Sequence, residues 1–289
     1  MEISGWDVAA VLAKAVTYAA TLAAAGAVFF TLYCGTLLRD RQRGRIRRLI
    51  GILVGVAAAA GVLRILLLTG SMSGEMSGMF DTAFAGMILG AGEGRASGAR
   101  IVGLALMLLV LPKNPVFRGP AIFGAIVATT SFAWVGHVHG MASNAAPGLV
   151  MCLHLLCAAF WLGALPPLLF IATGADERQI AAAAARFGKL ALRVVALLVA
   201  AGAGLLLMLI GSAAQFWASD YGRMMAIKLL AVAALLSLAA WNKLNLTPRL
   251  LRGDARATVQ FRRSVVAEMG VGAVILLITA AFTTLTGPP

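Results

Sequence analysis

The sequence predicts an all-α polytopic membrane protein, a bundle of about eight transmembrane helices with both termini on the outer side. Three observations predict it. Of the 289 residues, 61% are hydrophobic and 12% charged, with a mean hydropathy of +0.93, far below the roughly 25% charge of a soluble domain. Apolar stretches near the ~20 residues that cross a bilayer recur along the chain. The basic residues, which give a formal net charge of +13, gather in short loops between those stretches. That is the positive-inside distribution, not the stripe of a nucleic-acid binder, so lipid is the expected partner and nucleic acid is excluded.

The first span is expected from about Asp7 to Leu38. No basic stretch precedes it, so it does not read as a cleaved signal peptide and is expected to stay in the mature chain. The second span runs from about Leu49 to Gly70, after the loop Arg39 to Arg48, whose six arginines must lie in the cytoplasm. Ser71 to Arg100 is rich in Gly, Ser and Met, and only eleven residues lie between Asp81 and Glu93. That is too few to cross, so an outer loop with an interfacial helix is expected over about 71–94. Further spans follow at about Arg95 to Leu111, Ala121 to Gly140, Leu149 to Thr173, Leu190 to Gln215, Met224 to Trp241 and Val265 to Leu285. Alternating them places six, two, three and six Lys and Arg in successive inner loops. Only Arg95, Arg100 and Arg223 fall in the outer ones. Nothing resembles a soluble domain, and 1–289 reads as a single transmembrane domain.

Metal-capable side chains collect at the outer face. All three histidines, His137, His139 and His154, lie within 18 residues around the outer turn between the fourth and fifth spans. Gly136-His-Val-His-Gly-Met141 sets two imidazoles and a thioether at a helix end, where glycines let them converge. Imidazole with thioether suits copper, and thioether favours Cu(I) over Cu(II). Met151, His154, Cys157 and Trp161 recur at spacings of three, three and four, one stripe on the fifth helix, with His154 about two turns below the surface. A histidine at that depth is either a packing residue bonded across helices or a ligand on a transport path. His137 and His139 either bind metal or are merely solvated. In the outer loop, Met72, Met76 and Met79 recur every three or four residues; they either gather Cu(I) or fill an interfacial helix.

Cys34, Cys152 and Cys157 fall inside spans, so reduced thiols and no disulfide framework are expected. Glu268 and Arg193 each lie about one turn inside the cytoplasmic boundary, where a buried pair would reduce the penalty for each, and are expected to be structural. Lys14, Arg64 and Lys228 lie toward the outer side, where they can partly snorkel, and Lys228 is deep enough to serve as a counter-charge on a pathway. No Walker loop, dinucleotide fingerprint, zinc-protease motif or nucleophile elbow is present, so no enzymatic activity is expected.

His154-Leu-Leu-Cys-Ala-Ala-Phe-Trp161-Leu-Gly163-Ala-Leu-Pro166 resembles the fifth helix of the copper resistance protein D (CopD) family of bacterial inner-membrane proteins. Tyr221-Gly-Arg223 with Lys228, Asn242, Pro248 and Arg262-Arg263-Ser264-Val265 with Glu268 complete a pattern covering roughly Gly136 to the end. The resemblance implies copper passage across the inner membrane alongside a separate periplasmic copper-binding protein of the CopC type. Two other readings stay open: a haem-bearing electron carrier with bis-histidine ligation, and a copper-accepting partner that does not transport.

Overall fold

A computed structural model describes residues 4–112, 114–135, 146–174, 176–210 and 213–286. Among them no strand occurs. The α-helices are α1 (Gly5–Cys34), α2 (Asp40–Ser73), α3 (Thr82–Gly90), α4 (Gly92–Met107), α5 (Arg118–Thr130), α6 (Ala146–Gly174), α7 (Glu177–Leu209), α8 (Ala213–Ala218), α9 (Asp220–Trp241), α10 (Thr247–Leu251) and α11 (Ala255–Leu285). Seven helical segments are long and apolar enough to cross a bilayer: Gly5–Leu37, Asp40–Ser73, Pro115–Trp134, Ala146–Gly174, Glu177–Leu209, Asp220–Leu251 and Ala255–Leu285. The chain is therefore an all-α, multi-pass membrane protein.

The expected span at 95–111 is the short α4, 16 residues followed by a 3₁₀ turn at Leu108–Val110. Its α-helical part reaches roughly 24 Å at 1.5 Å per residue, less than the hydrocarbon core of ~30 Å, and it carries Glu93, Arg95 and Arg100. That is why it stands apart from the seven. Within the expected interfacial segment 71–94, the helix is α3, started by the Asp81 carboxylate, which accepts from the backbone N–H groups of Ala83 and Phe84 at 2.8 and 3.2 Å.

Two stretches expected as inner loops are helical instead. Nearly all of Arg39 to Arg48 forms the opening turns of α2, and α7 starts at Glu177, well before Leu190. Arginine and alanine are good helix formers, and a 34-residue helix of about 51 Å carries its basic turns beyond the membrane. These turns are tied together at the inner face. The Gln179 amide donates to Leu37 O at 2.7 Å and to Gln42 Oε1 at 2.8 Å, and Arg186 donates to Thr36 Oγ1 at 2.9 Å. Asp176 caps α7 through the Gln179 N–H at 2.8 Å and meets Arg39 at 2.5 Å. The capping hydrogen bond, aided by the Arg39 charge, holds the Asp176 carboxyl below the usual carboxylate range.

α1 is the axis of the bundle, lying against α2, α5, α6 and α11. It crosses α6 with backbone touching backbone at Gly26 and Gly163. A Cβ on Gly26 would come 2.0 Å from Ala159 O and 2.5 Å from Gly163 Cα; one on Gly163 would come 2.6 Å from Gly26 Cα. Ala24, Ala25, Ala27, Ala159 and Ala164 around the crossing are completely buried. In a bilayer, lipid tails are as apolar as leucine, so helices associate through close packing of small residues. α4 and α5 repeat the device at Gly103 and Gly124, where an added Cβ would meet the opposite backbone at 2.5–2.7 Å.

Candidate functional site

His154 sits eight residues into α6, about 12 Å below its outer end, the depth expected from sequence. Its ring lies against α7, where Gly202 makes room: a Cβ there would come within 3.1 Å of His154 Cε1. Nδ1 lies 3.2 Å from Leu198 O. A carbonyl can only accept, so Nδ1 carries the proton, and in the neutral ring Nε2 keeps the lone pair. This is the arrangement in which histidines usually ligate metals, one nitrogen oriented by a carbonyl and the other free to bind. One turn further, Cys157 is buried, with Trp161 buried beyond it and Met151 half-buried toward the outer end.

Lys228, eight residues into α9, lies at a similar depth and within electrostatic reach of His154. Its ammonium stands 5.4 Å from the centroid of Phe282, a cation–π distance. Phe282 belongs to an aromatic cluster closing the outer end of this half: Tyr221 meets Phe216 edge-on at 5.7 Å and Phe282 at 5.1 Å.

The N-terminal half holds a buried charged network at the same level. Arg64 of α2 is paired with Glu93 of α4, their side chains 16% and 14% exposed. The Arg100 guanidinium, 5% exposed, donates to Ser131 Oγ at 3.1 Å and lies 4.1 Å from the centroid of Phe132. Phe132 meets Tyr18 edge-on at 4.7 Å, and Lys14 donates to Thr283 O at 3.0 Å. Three expectations are corrected here. Arg64 is held by a carboxylate rather than snorkelling, Lys14 bonds across to α11, and Arg100 lies inside α4 rather than in an outer loop. Lys14 and Arg64 stand out in the sequence as charges within spans; Glu93 and Ser131 carry no such signal, because only the fold brings them there.

Glu268 and Arg193 do not pair. Arg193 is exposed on α7, whereas Glu268 is 4% exposed and accepts a hydrogen bond from the Asn242 side chain. An arginine near a helix end reaches the interface more cheaply than it enters the core, which leaves a neutral amide to partner Glu268. Of the outer-loop methionines, Met72 and Met76 are exposed, while Met79 lies against Gly70 beside Trp6. His137, His139 and Met141 lie outside the described residues. Among the described residues, no three His, Cys, Asp or Glu side chains gather as a metal site would require.

Two family profiles match the chain. The copper resistance protein D profile matches residues 181–282, and that of the copper resistance protein D-like N-terminal domain matches residues 5–146. No curated protein and no solved structure matches it. The second match takes in the methionines of the outer loop together with His137, His139 and Met141, extending the similarity well beyond the C-terminal half. The first takes in Lys228, Asn242 and Glu268. His154 and Cys157 lie between the two.

Proposed function

We propose, from the premise that the chain belongs to the copper resistance protein D family, that this copper-resistance membrane protein takes copper at a periplasmic His/Met site and passes it into or across the bacterial inner membrane. The observation that carries the reading is the state of His154. The Leu198 carbonyl fixes the proton on Nδ1, and in the neutral ring Nε2 keeps a lone pair with which a metal ion can be bound. His137, His139 and Met141, which precede α6 in the sequence, are proposed as the remaining donors; Met151 and Cys157 on the His154 face continue a soft-ligand route suited to Cu(I). Met72, in the last turn of α2, and Met76, in the loop that follows, are both exposed and fit a role in first capture, and Lys228 sets a positive charge beside the route. The basic inner loops, and Lys14 near the start of α1 reaching Thr283 near the end of α11, support an orientation with both termini periplasmic, in which the short α4 makes an eighth crossing beside the seven longer segments. A separate periplasmic copper-binding protein of the CopC type is the proposed donor of copper to this site.

The test is copper stoichiometry of detergent-purified protein after Cu(I) loading, comparing the parent with a His137/His139/His154 triple alanine variant. The parent retains copper and the triple variant loses it. Equal binding by both would move the site to the outer-loop methionines, and a parent that binds none would sink the copper-carrying reading.

A second measurement probes the positioning of His154. Gly202→Leu removes no ligand, yet its side chain occupies the space of the imidazole. Disturbing the shell that orients a metal-binding histidine typically costs 10–100-fold in affinity, so Cu(I) competition titrations are expected to show weakening by at least about tenfold. Unchanged affinity would mean that the α6–α7 contact has no part in the site.

A further inference from the structure

The inner half of the membrane contains a carboxyl group that the copper route does not use. Glu268, on α11, is 4% exposed, and its hydrogen-bond partner is Asn242, 7% exposed, at the point where α9 passes into a π-helical turn over Asn242–Leu246. Asn242 Nδ2 donates to Glu268 Oε1, while Asn242 Oδ1 is buried with no donor. One turn back along α11, the buried hydroxyl of Ser264 also has no partner. Buried polar groups in native proteins are nearly always satisfied, so each orphan asks for a reason, and the demand is stricter in hydrocarbon, where no solvent compensates.

A single proton removes the difficulty at Asn242. A carboxylic acid facing a primary amide makes two reciprocal hydrogen bonds: the acid oxygen accepts from the amide N–H, and the acid O–H donates to the amide oxygen. An ionised carboxylate can only accept, so Asn242 Oδ1 would then stay unsatisfied beside a second acceptor. Turning the amide over does not help, because its oxygen would then meet the carboxylate directly.

Among the described residues the surroundings supply no compensating cation. On α7, Arg193 and Lys189 are exposed, and the Lys243 ammonium turns to Gly188, 3.3 Å from where a Cβ on that glycine would stand. On α11 itself, Arg262 and Arg263 are exposed. α1 brings Tyr33, whose hydroxyl donates to Arg186 O, and Cys34; α6, which meets α11 through Leu162 at Gly272, carries no Asp, Glu, Lys or Arg. Lys228 lies about four turns from Asn242, toward the outer end of α9.

We propose that Glu268 and Asn242 form a proton-binding site in the inner half of the membrane, loaded at rest, whose proton closes the joint between α9 and α11. Loading forms the O–H bond on Glu268 and the hydrogen bond to Asn242 Oδ1. Release passes the proton to water at the inner face and leaves two acceptors opposed across the joint. The π turn, where backbone hydrogen bonding departs from the α pattern, is a place where such a change of contact is easily taken up. The site provides a class of coupling ion, the proton, that the soft-ligand route lacks, and its existence does not depend on copper binding.

Infrared spectroscopy of the full-length protein in lipid, without copper, tests it. The parent is expected to show the carbonyl stretch of a protonated carboxylic acid at about pH 7, where ordinary Asp and Glu near pKa 4 are ionised. That band should fade reversibly as the pH rises and be lost in Glu268→Gln. The glutamine keeps both reciprocal hydrogen bonds, so this variant should fold as the parent does. Parent and Glu268→Gln spectra that superimpose in the acid carbonyl region would overturn the proposal, whatever the copper measurements show.

Discussion

Gly26→Leu is expected to prevent assembly of the native bundle, the largest effect of any single substitution outside the metal-binding residues. The Cβ alone would stand 2.0 Å from Ala159 O and 2.5 Å from Gly163 Cα. These are backbone atoms of a packed helix, so no rotamer change relieves the clash. Overpacking a core against movable side chains costs about 1–3 kcal/mol, and here α1 and α6 must separate along their whole contact. Because α1 also holds α2, α5 and α11, the loss spreads to every helix of the bundle. Size-exclusion chromatography and thermal unfolding in detergent measure it: Gly26→Leu should aggregate or unfold at the lowest temperature of the set. Leu substitution at Gly5, where an added Cβ meets nothing within 4 Å, should behave as the parent. A Gly26→Leu protein with a parental melting curve would show that the α1–α6 crossing is not the close contact described.

Glu93→Ala is expected to destabilise the N-terminal half by about 3–5 kcal/mol, the cost of leaving one member of a buried ion pair without its partner. Arg64 and Glu93 are each shielded from solvent, so the discount for surface pairs does not apply. The carboxylate also lies within electrostatic reach of Arg100 and Lys14, and among the described residues of this network it is the one anion beside three cations. This makes a further prediction. Replacing both members by apolar residues, as in Arg64→Met with Glu93→Leu, usually restores stability at an isolated buried pair. Here it should restore only part, because Arg100 and Lys14 would still lack a counter-charge. Denaturant or thermal unfolding of the single and double variants in one detergent decides the matter. Full recovery in the double variant would show that the network reduces to one pair.

The features legible in sequence and those that were not differ in physical origin. Hydrophobic length and the placement of arginines act locally and follow from the bilayer itself, so the all-α membrane class and the succession of spans could be read directly from residues such as Arg39–Arg48 and the apolar run after Leu49. Helix ends were less accurate, since helices continue into water wherever good helix formers allow, as in α2 and α7. The depth of His154 and the face it shares with Cys157 and Trp161 were legible too, because both follow from helical periodicity.

Partnership was not legible. Glu268 and Arg193 lie at the same depth and carry opposite charge, yet they do not pair, since depth along a helix says nothing about rotation around it. The Leu198 carbonyl and Gly202 beside His154 have no side-chain chemistry to advertise them. Glu93 read as a loop acid until α4 packed beside α2. The sequence by itself determined the membrane class and the seven long spans, because these depend on one segment and its solvent. Only the tertiary structure decided which buried polar group answers which, because that depends on how helices far apart in sequence rotate and cross through contacts such as Gly26 on Gly163.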